Sequence, residues 1–194
     1  STDYDALVLS PGSTPIRPPL PGVEKSYVLW NLDDMDRMIE ATQTAQSAIV
    51  VGGGFIGLEV AENLAHKGLK VTLVEALPQL MPLLDPEMAW LLVERARVND
   101  VDVHLSAKVH EVTDQGVTLE GGKNLDADMV VMAVGAKPNL ELAKEAGLEI
   151  GPAGGIAVDD EQRTSDPAIW AVGDAAEKKR EGGPGMIPLA GLAN

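Results

Sequence analysis

Residues 48–57, AIVVGGGFIG, decide the fold. Ala48–Val51 is an unbroken apolar run suited to a strand buried on both faces, and the glycines that follow have the spacing G-x-G-x-x-G at Gly52, Gly54 and Gly57. Gly53, Phe55 and Ile56 fill the gaps. Downstream, the pattern predicts a helix from Ile56 to about Lys67, closed by Gly68, and a second strand over Val71–Val74. Strand, glycine turn, helix and strand make a βαβ unit.

Each glycine has a mechanical task in such a turn. Gly52 permits the tight bend, Gly54 lets backbone approach a pyrophosphate, and Gly57 lets the helix pack on the strand. The helix N-terminus then offers unpaired N–H groups to the anion. Glu75 ends the second strand, where an acid accepts hydrogen bonds from the adenosine ribose hydroxyls. The same carboxylate repels a 2′-phosphate, and no Lys or Arg stands between Glu75 and Arg95, so NADH is favoured over NADPH. The alternative is a glycine-rich turn with no ligand and an exposed acid at a strand end.

Working outward, Tyr4–Leu9 reads as a strand stopped by Ser10-Pro11-Gly12, and a proline-rich linker runs from Pro15 to Gly22, with a boundary near residue 22. Asp33 and Asp34 can cap a short helix reaching about Thr44. Asp85-Pro86-Glu87 starts another, running to about Val98, and Val101–Leu105 reads as a strand. From Lys108 to Leu125 the period becomes two, with turns at Asp114–Gly116 and Glu120–Gly122, which predicts an antiparallel meander. Asp128–Val134 returns as a buried strand stopped by Gly135. After Gly151 turns dominate until a strand over Ile169–Val172, followed by Gly173-Asp174; Gly182–Asn194 reads as loop. The expected class is α/β: a Rossmann-like, doubly wound parallel sheet with an antiparallel β-meander insertion.

Composition narrows the function. The 194 residues carry 30 acids against 15 bases, a formal charge of −15 that disfavours nucleic acid and anionic membrane surfaces. The one basic run, Lys178-Lys179-Arg180, reads as a solvated loop between Glu177 and Glu181. No apolar stretch is long enough to span a bilayer and no signal-peptide pattern opens the chain, so a cytoplasmic location is expected. With no cysteine there is neither a thiolate metal site nor a nucleophilic thiol, and His66, His104 and His110 lack zinc spacing; no metal is expected.

Five segments together carry a resemblance: YDALVLSPGSTP (4–15), VVGGGFIGLEVAENL (50–64), MVVMAVGAKPN (129–139), TSDPAIWAVGD (164–174) and IPLAGLAN (187–194). In order and spacing they resemble the pyridine nucleotide-disulfide oxidoreductases, in the branch of NADH oxidases, NADH peroxidases and coenzyme A-disulfide or persulfide reductases. That resemblance implies two cofactors, NADH and FAD. It implies that Asp174, after Gly173, binds the ribityl chain of FAD and that Ser10 and Gly12 sit at the last crossover of the FAD domain. Phe55 matches an aromatic that covers the flavin ring until the nicotinamide displaces it, and Glu59 matches a glutamate near nicotinamide and flavin whose usual lysine partner is not found here. Ordinary helix packing for Phe55 and a solvated acid for Glu59 are the alternatives. Val134 and Gly135 would bring backbone to the cofactor from the opposite strand end.

The resemblance further implies hydride transfer from NADH to FAD and on to a disulfide, persulfide, peroxide or dioxygen, with a small-molecule substrate. Family members begin with an FAD glycine fingerprint, then carry a redox cysteine, and end with a dimerisation domain. None of these three is in the sequence, and Leu192 replaces a frequent proline. The expectation is therefore an excised piece, inactive alone: 1–30 FAD-domain remnant and linker, 31–150 NADH-binding domain, 151–194 return to the FAD domain, from a parent that dimerises through a missing C-terminal domain. Two rivals stay open, a flavin reductase serving an iron–sulfur or rubredoxin partner and a non-enzymatic NADH-sensing module.

Overall fold

The computed structural model describes residues 3–180 and 183–185. In chain order they form β1 (Leu7–Leu9), β2 (Ser13–Pro15), α1 (Leu32–Ala41), β3 (Ser47–Val51), α2 (Phe55–His66), β4 (Lys70–Val74) and α3 (Pro86–Val98). There follow β5 (Val101–His104), β6 (Val109–Thr113), β7 (Gly116–Leu119), β8 (Asn124–Asp126), β9 (Met129–Met132) and β10 (Ala136–Pro138). The remainder is α4 (Glu141–Glu145), β11 (Ile156–Val158), β12 (Ile169–Ala171), β13 (Ala176–Arg180) and β14 (Gly183–Gly185).

The chain divides into two compact units, Pro15–Gly135 and the sequence on either side of it. These divisions differ from the expected ones near residues 30 and 150. The proline-rich stretch is no free linker, because Leu20 and Val23 pack on buried Val112 and Val117 and the Val112 N–H donates to the Pro21 carbonyl at 2.9 Å. Downstream, Ala143 and Leu148 pack with Ile156, Ile169 and Ala171, which draws residues 136–150 into the flanking unit.

In the Pro15–Gly135 unit a parallel sheet runs in the order β5-β4-β3-β9, and Tyr27 adds a parallel bridge to Val131. Residues alternate between its faces. Ala48, Val50, Val71, Leu73 and Val131 join Met38 of α1, Val60 and Leu64 of α2 and Val93 of α3 in one core. Ile49, Val51, Val74, Val130 and Met132 join Val109, Val112, Val117 and Leu119 of the meander β6-β7-β8 in the other. The helices thus cover one face of the sheet and the meander covers the other.

The first helix starts at Leu32, two to three residues earlier than a cap at Asp33 or Asp34 predicts. Asn31 is the N-cap; its side chain accepts from the Asp34 N–H at 2.8 Å, while Asp34 reaches back to the Asn31 N–H, a reciprocal capping box.

In the flanking unit β1 pairs with β12, β2 with β10, and β11-β13-β14 form a three-stranded sheet. Two expectations are corrected here. Lys178-Lys179-Arg180 is strand: Lys178 is in parallel register with Val158 of β11 and all three pair antiparallel with β14, next to Glu177, which is buried with its carboxylate accepting from the Ala153 and Gly155 N–H groups at 2.9 and 2.8 Å. Gly183–Gly185, expected as loop, pairs antiparallel with β13; the rest of the Gly182–Asn194 stretch, IPLAGLAN included, lies outside the described residues. Helix α4, five residues long, was not foreseen.

Candidate dinucleotide site

Four strands of the parallel sheet deliver their carboxyl ends to one edge: Gly52 after β3, Glu75 after β4, Leu105 after β5 and Ala133 after β9. Strand order reverses between β3 and β9, the point where open α/β sheets form a ligand crevice.

The three glycines of the motif have different neighbours. Gly52 has φ +113°, and a Cβ there would run into the Ala133 carbonyl. At Gly57 a Cβ would run into the Gly52 carbonyl. Gly54 is unlike both: its backbone is extended and a Cβ would meet nothing within 4 Å. Packing therefore dictates Gly52 and Gly57, whereas among the described residues nothing requires glycine at 54.

Gly54 is also the N-cap of α2, with no side-chain cap bond and no acid in the first turn. The helix starts at Phe55, one residue before the expected Ile56. Its amino end keeps its positive potential for an anion. Glu59 is the fifth helical residue, past the first turn, and it is exposed. Phe55, the only phenylalanine in the chain, is 51% exposed, and Ile56 and Val134 are exposed with it.

Glu75 is buried, and its carboxylate is held by backbone. Oε2 accepts from the Gly53 N–H at 2.6 Å and Oε1 from the Leu77 N–H at 2.7 Å. Three neighbours that sequence reasoning missed complete the frame. The Met81 N–H donates to the Gly53 carbonyl at 2.9 Å, the Ser106 N–H to the Leu77 carbonyl at 2.9 Å, and the Ala107 N–H to the Glu75 carbonyl at 2.9 Å. Met81 and Ser106 both hold positive φ, 47° and 52°, a conformation that non-glycine residues keep only when their surroundings enforce it. Nothing in the sequence marks either loop residue. Gly135, at φ +105°, accepts from the Ile16 N–H at 2.9 Å.

Asp174 and the Ser10–Gly12 turn come together in the flanking unit. The Ser13 hydroxyl donates to Asp174 Oδ2 at 2.8 Å, and Ser10 Oγ lies 3.6 Å from where a Gly173 Cβ would stand. Asn139 bridges the turn, donating from its backbone to the Gly12 carbonyl and from its amide to the Pro11 carbonyl, each at 2.9 Å. Gly12 and Gly173 have φ +66° and +79°, and a Cβ at Gly12 would meet nothing within 4 Å.

Among the described residues no group of three or more His, Asp or Glu side chains could hold a metal ion, and no helix is long and apolar enough to cross a membrane. A hollow of about 310 Å³ between α2 and α3 is floored by Leu58, Ala61, Leu73 and Val101; it includes neither Glu75 nor the motif glycines.

The family described as pyridine nucleotide-disulphide oxidoreductase matches residues 1–191. The chain belongs to that family. A curated relative, the rubredoxin-NAD(+) reductase of Pseudomonas putida, is 36% identical over 89% of the chain and 46% of its own length. Among solved structures, an NAD-dependent persulfide reductase from A. fulgidus superposes with TM-score 0.93 at 38% identity, covering 98% of this chain and 37% of that one. A water-forming NADH oxidase from Lactobacillus brevis, solved with NADH, superposes with TM-score 0.91 at 30% identity, covering 99% and 44%. Its engineered form is a water-forming NADPH oxidase solved with NADPH. That form changes a glycine to alanine and, 18, 19, 20 and 25 residues further on, an aspartate to alanine, an alanine to arginine, a methionine to serine and a proline to arginine. The chain spans about a fifth to a half of the length of the curated relatives it matches.

Proposed function

We propose that the chain binds NADH along the carboxyl edge of its parallel sheet, with the pyrophosphate on the α2 amino end and the adenosine ribose at Glu75. The observation that carries this is the open space at Gly54 between two glycines closed off by backbone. A residue whose side chain would meet no protein atom, placed at an uncapped helix start, leaves room for a ligand to approach the N–H groups of Gly54, Phe55 and Ile56.

The coenzyme is NADH in preference to NADPH. Counted from Gly57, this chain has Glu75, Ala76, Leu77 and Pro82 at the offsets substituted in the engineered NADPH oxidase, and no arginine among them. A buried carboxylate at 75 repels a 2′-phosphate, and nothing basic beside it neutralises one. Titration calorimetry of the chain with each nucleotide tests this; equal affinities would remove Glu75 from the argument.

In the longer protein that contains this chain, hydride passes from NADH to FAD. Asp174 fits the flavin cofactor: its Oδ2 takes the Ser13 hydroxyl, and Gly173 before it and Gly12 in the adjoining turn hold positive φ, a backbone conformation that side chains rarely adopt. Asp174 would hold the ribityl hydroxyls, with Ser10 and Gly12 at the adjoining turn. FAD, when bound, supplies the acceptor for the hydride. The residues of this chain orient the donor: the glycine turn fixes the pyrophosphate, Glu75 the ribose, and Phe55, Glu59, Val134 and Gly135 border the nicotinamide end. The protein acts in the cytoplasm as a homodimer on a small-molecule disulfide, persulfide or peroxide, or on dioxygen.

The rubredoxin-NAD(+) reductase relative favours a second reading, in which electrons leave the flavin for an iron–sulfur protein. A cysteine shortly after an FAD glycine fingerprint in the longer protein would support the disulfide branch, and its absence the electron-carrier branch.

A further inference from the structure

Gly53 is the one glycine of the turn that the G-x-G-x-x-G pattern leaves unassigned, yet it too is closed to a side chain, and by other side chains rather than by backbone. A Cβ there would stand 2.5 Å from Leu80 Cδ2, 3.1 Å from Glu75 Oε2 and 3.4 Å from Glu75 Cβ. Leu80 has no exposed surface and belongs to the helix-side core, so it cannot swing aside without opening that core. Both backbone groups of Gly53 are also committed, its N–H to Glu75 Oε2 and its carbonyl to the Met81 N–H.

From this we infer that Gly53 is a positioning residue that sets the Glu75 carboxylate, with buried Leu80 the wall that keeps a side chain out of position 53, and that discrimination between NADH and NADPH depends on that packing as well as on the acid. The inference rests on the NADH reading above. A carboxylate held at both oxygens cannot turn away from an incoming 2′-phosphate, so its charge stays where the phosphate would sit. A methyl group on Gly53 pushes on the same oxygen that accepts the Gly53 N–H, and the acid moves.

Binding of NADH and of NADPH to the 194-residue chain, Gly53→Ala, Leu80→Ala and the double variant tests this by calorimetry, with melting curves alongside. The wild type prefers NADH; Gly53→Ala loses about tenfold or more in NADH affinity and changes less toward NADPH, so the ratio falls. Truncating Leu80 removes the nearest colliding atom, so the double variant regains part of the wild-type ratio. A merely structural role would lower both affinities in step with the melting temperature and leave the ratio alone, which overturns the inference. If Gly53→Ala does not fold, the double variant against Leu80→Ala decides: a lower ratio in the double variant, whose methyl still stands against Glu75 Oε2, supports the inference, and equal ratios overturn it. A wild type that binds neither nucleotide defeats the functional reading itself, whereas a wild-type preference unchanged in Gly53→Ala defeats only this one.

Discussion

The Gly52 carbonyl oxygen occupies the space that a Cβ on Gly57 would need. Since that oxygen is backbone, relief requires the turn or the helix to shift. Gly57→Ala is therefore expected to cost about 1–3 kcal/mol of stability, the range for overpacking a well-packed site. Urea denaturation measures it, and an unchanged midpoint would show that the turn yields freely. The engineered oxidase carries alanine at the equivalent offset, so the variant should fold.

Coenzyme preference should follow the residues after β4. Glu75→Ala alone should narrow the gap between NADH and NADPH. Adding Ala76→Arg, Leu77→Ser and Pro82→Arg should reverse it, since two arginines then face a 2′-phosphate that no carboxylate repels. Competition binding with the two nucleotides is the check; a fourfold variant that still prefers NADH would place the discriminating contacts elsewhere.

Purified chain should be colourless or nearly so. On the proposed reading Asp174 and the Ser10–Gly12 turn would be only part of a flavin site, and the FAD glycine fingerprint expected for the family is not in this sequence. Absorbance near the flavin maximum, with a flavin-to-protein ratio close to one, would contradict this.

Asp128 gives a pH dependence of definite sign. Its Oδ2 accepts from the Gln46 N–H at 2.8 Å, the Ser47 N–H at 2.9 Å and the Ser47 hydroxyl at 2.8 Å, tying the starts of β3 and β9 together. These bonds, the Gln46 amide first, hold the carboxyl below its ordinary value. A group depressed in the folded state stabilises above its unfolded pKa, about 3.9, and loses that contribution as pH falls through the folded value. The stability difference between wild type and Asp128→Asn should accordingly be full near pH 6 and shrink below about pH 4. Melting curves across that window decide it, and a difference that grows in acid would reverse the assignment.

The βαβ unit was legible because its signals reinforce each other: AIVV buried on both faces, a glycine turn that the sheet crossing requires, and Glu75 at the next strand end. The meander was legible from its period and turns, and Pro86 marked its helix. What stayed hidden depends on partners far along the chain. Glu177 reads as a solvated acid until the Ala153 and Gly155 amides, more than twenty residues away, are seen to hold it. Leu80 reads as one apolar residue in an aperiodic loop, yet it is fully buried against Gly53. Proline content makes Pro15–Gly22 read as a linker, whereas Leu20 within it packs into the sheet–meander core. Helix α4, with five residues, is too short for a periodic signal.

The central claim is that the dinucleotide lies on the glycine turn, and Gly54→Val tests it most directly. Its backbone is extended, a conformation valine adopts, a Cβ there meets no described atom within 4 Å, and replacing an N-cap glycine by valine costs on the order of 1 kcal/mol. The variant should melt near the wild-type temperature. Its branched side chain would stand where the pyrophosphate approaches, so NADH binding should weaken by about 2 kcal/mol or more, roughly thirtyfold in Kd by calorimetry. A folded variant that binds NADH as tightly as wild type would contradict the account.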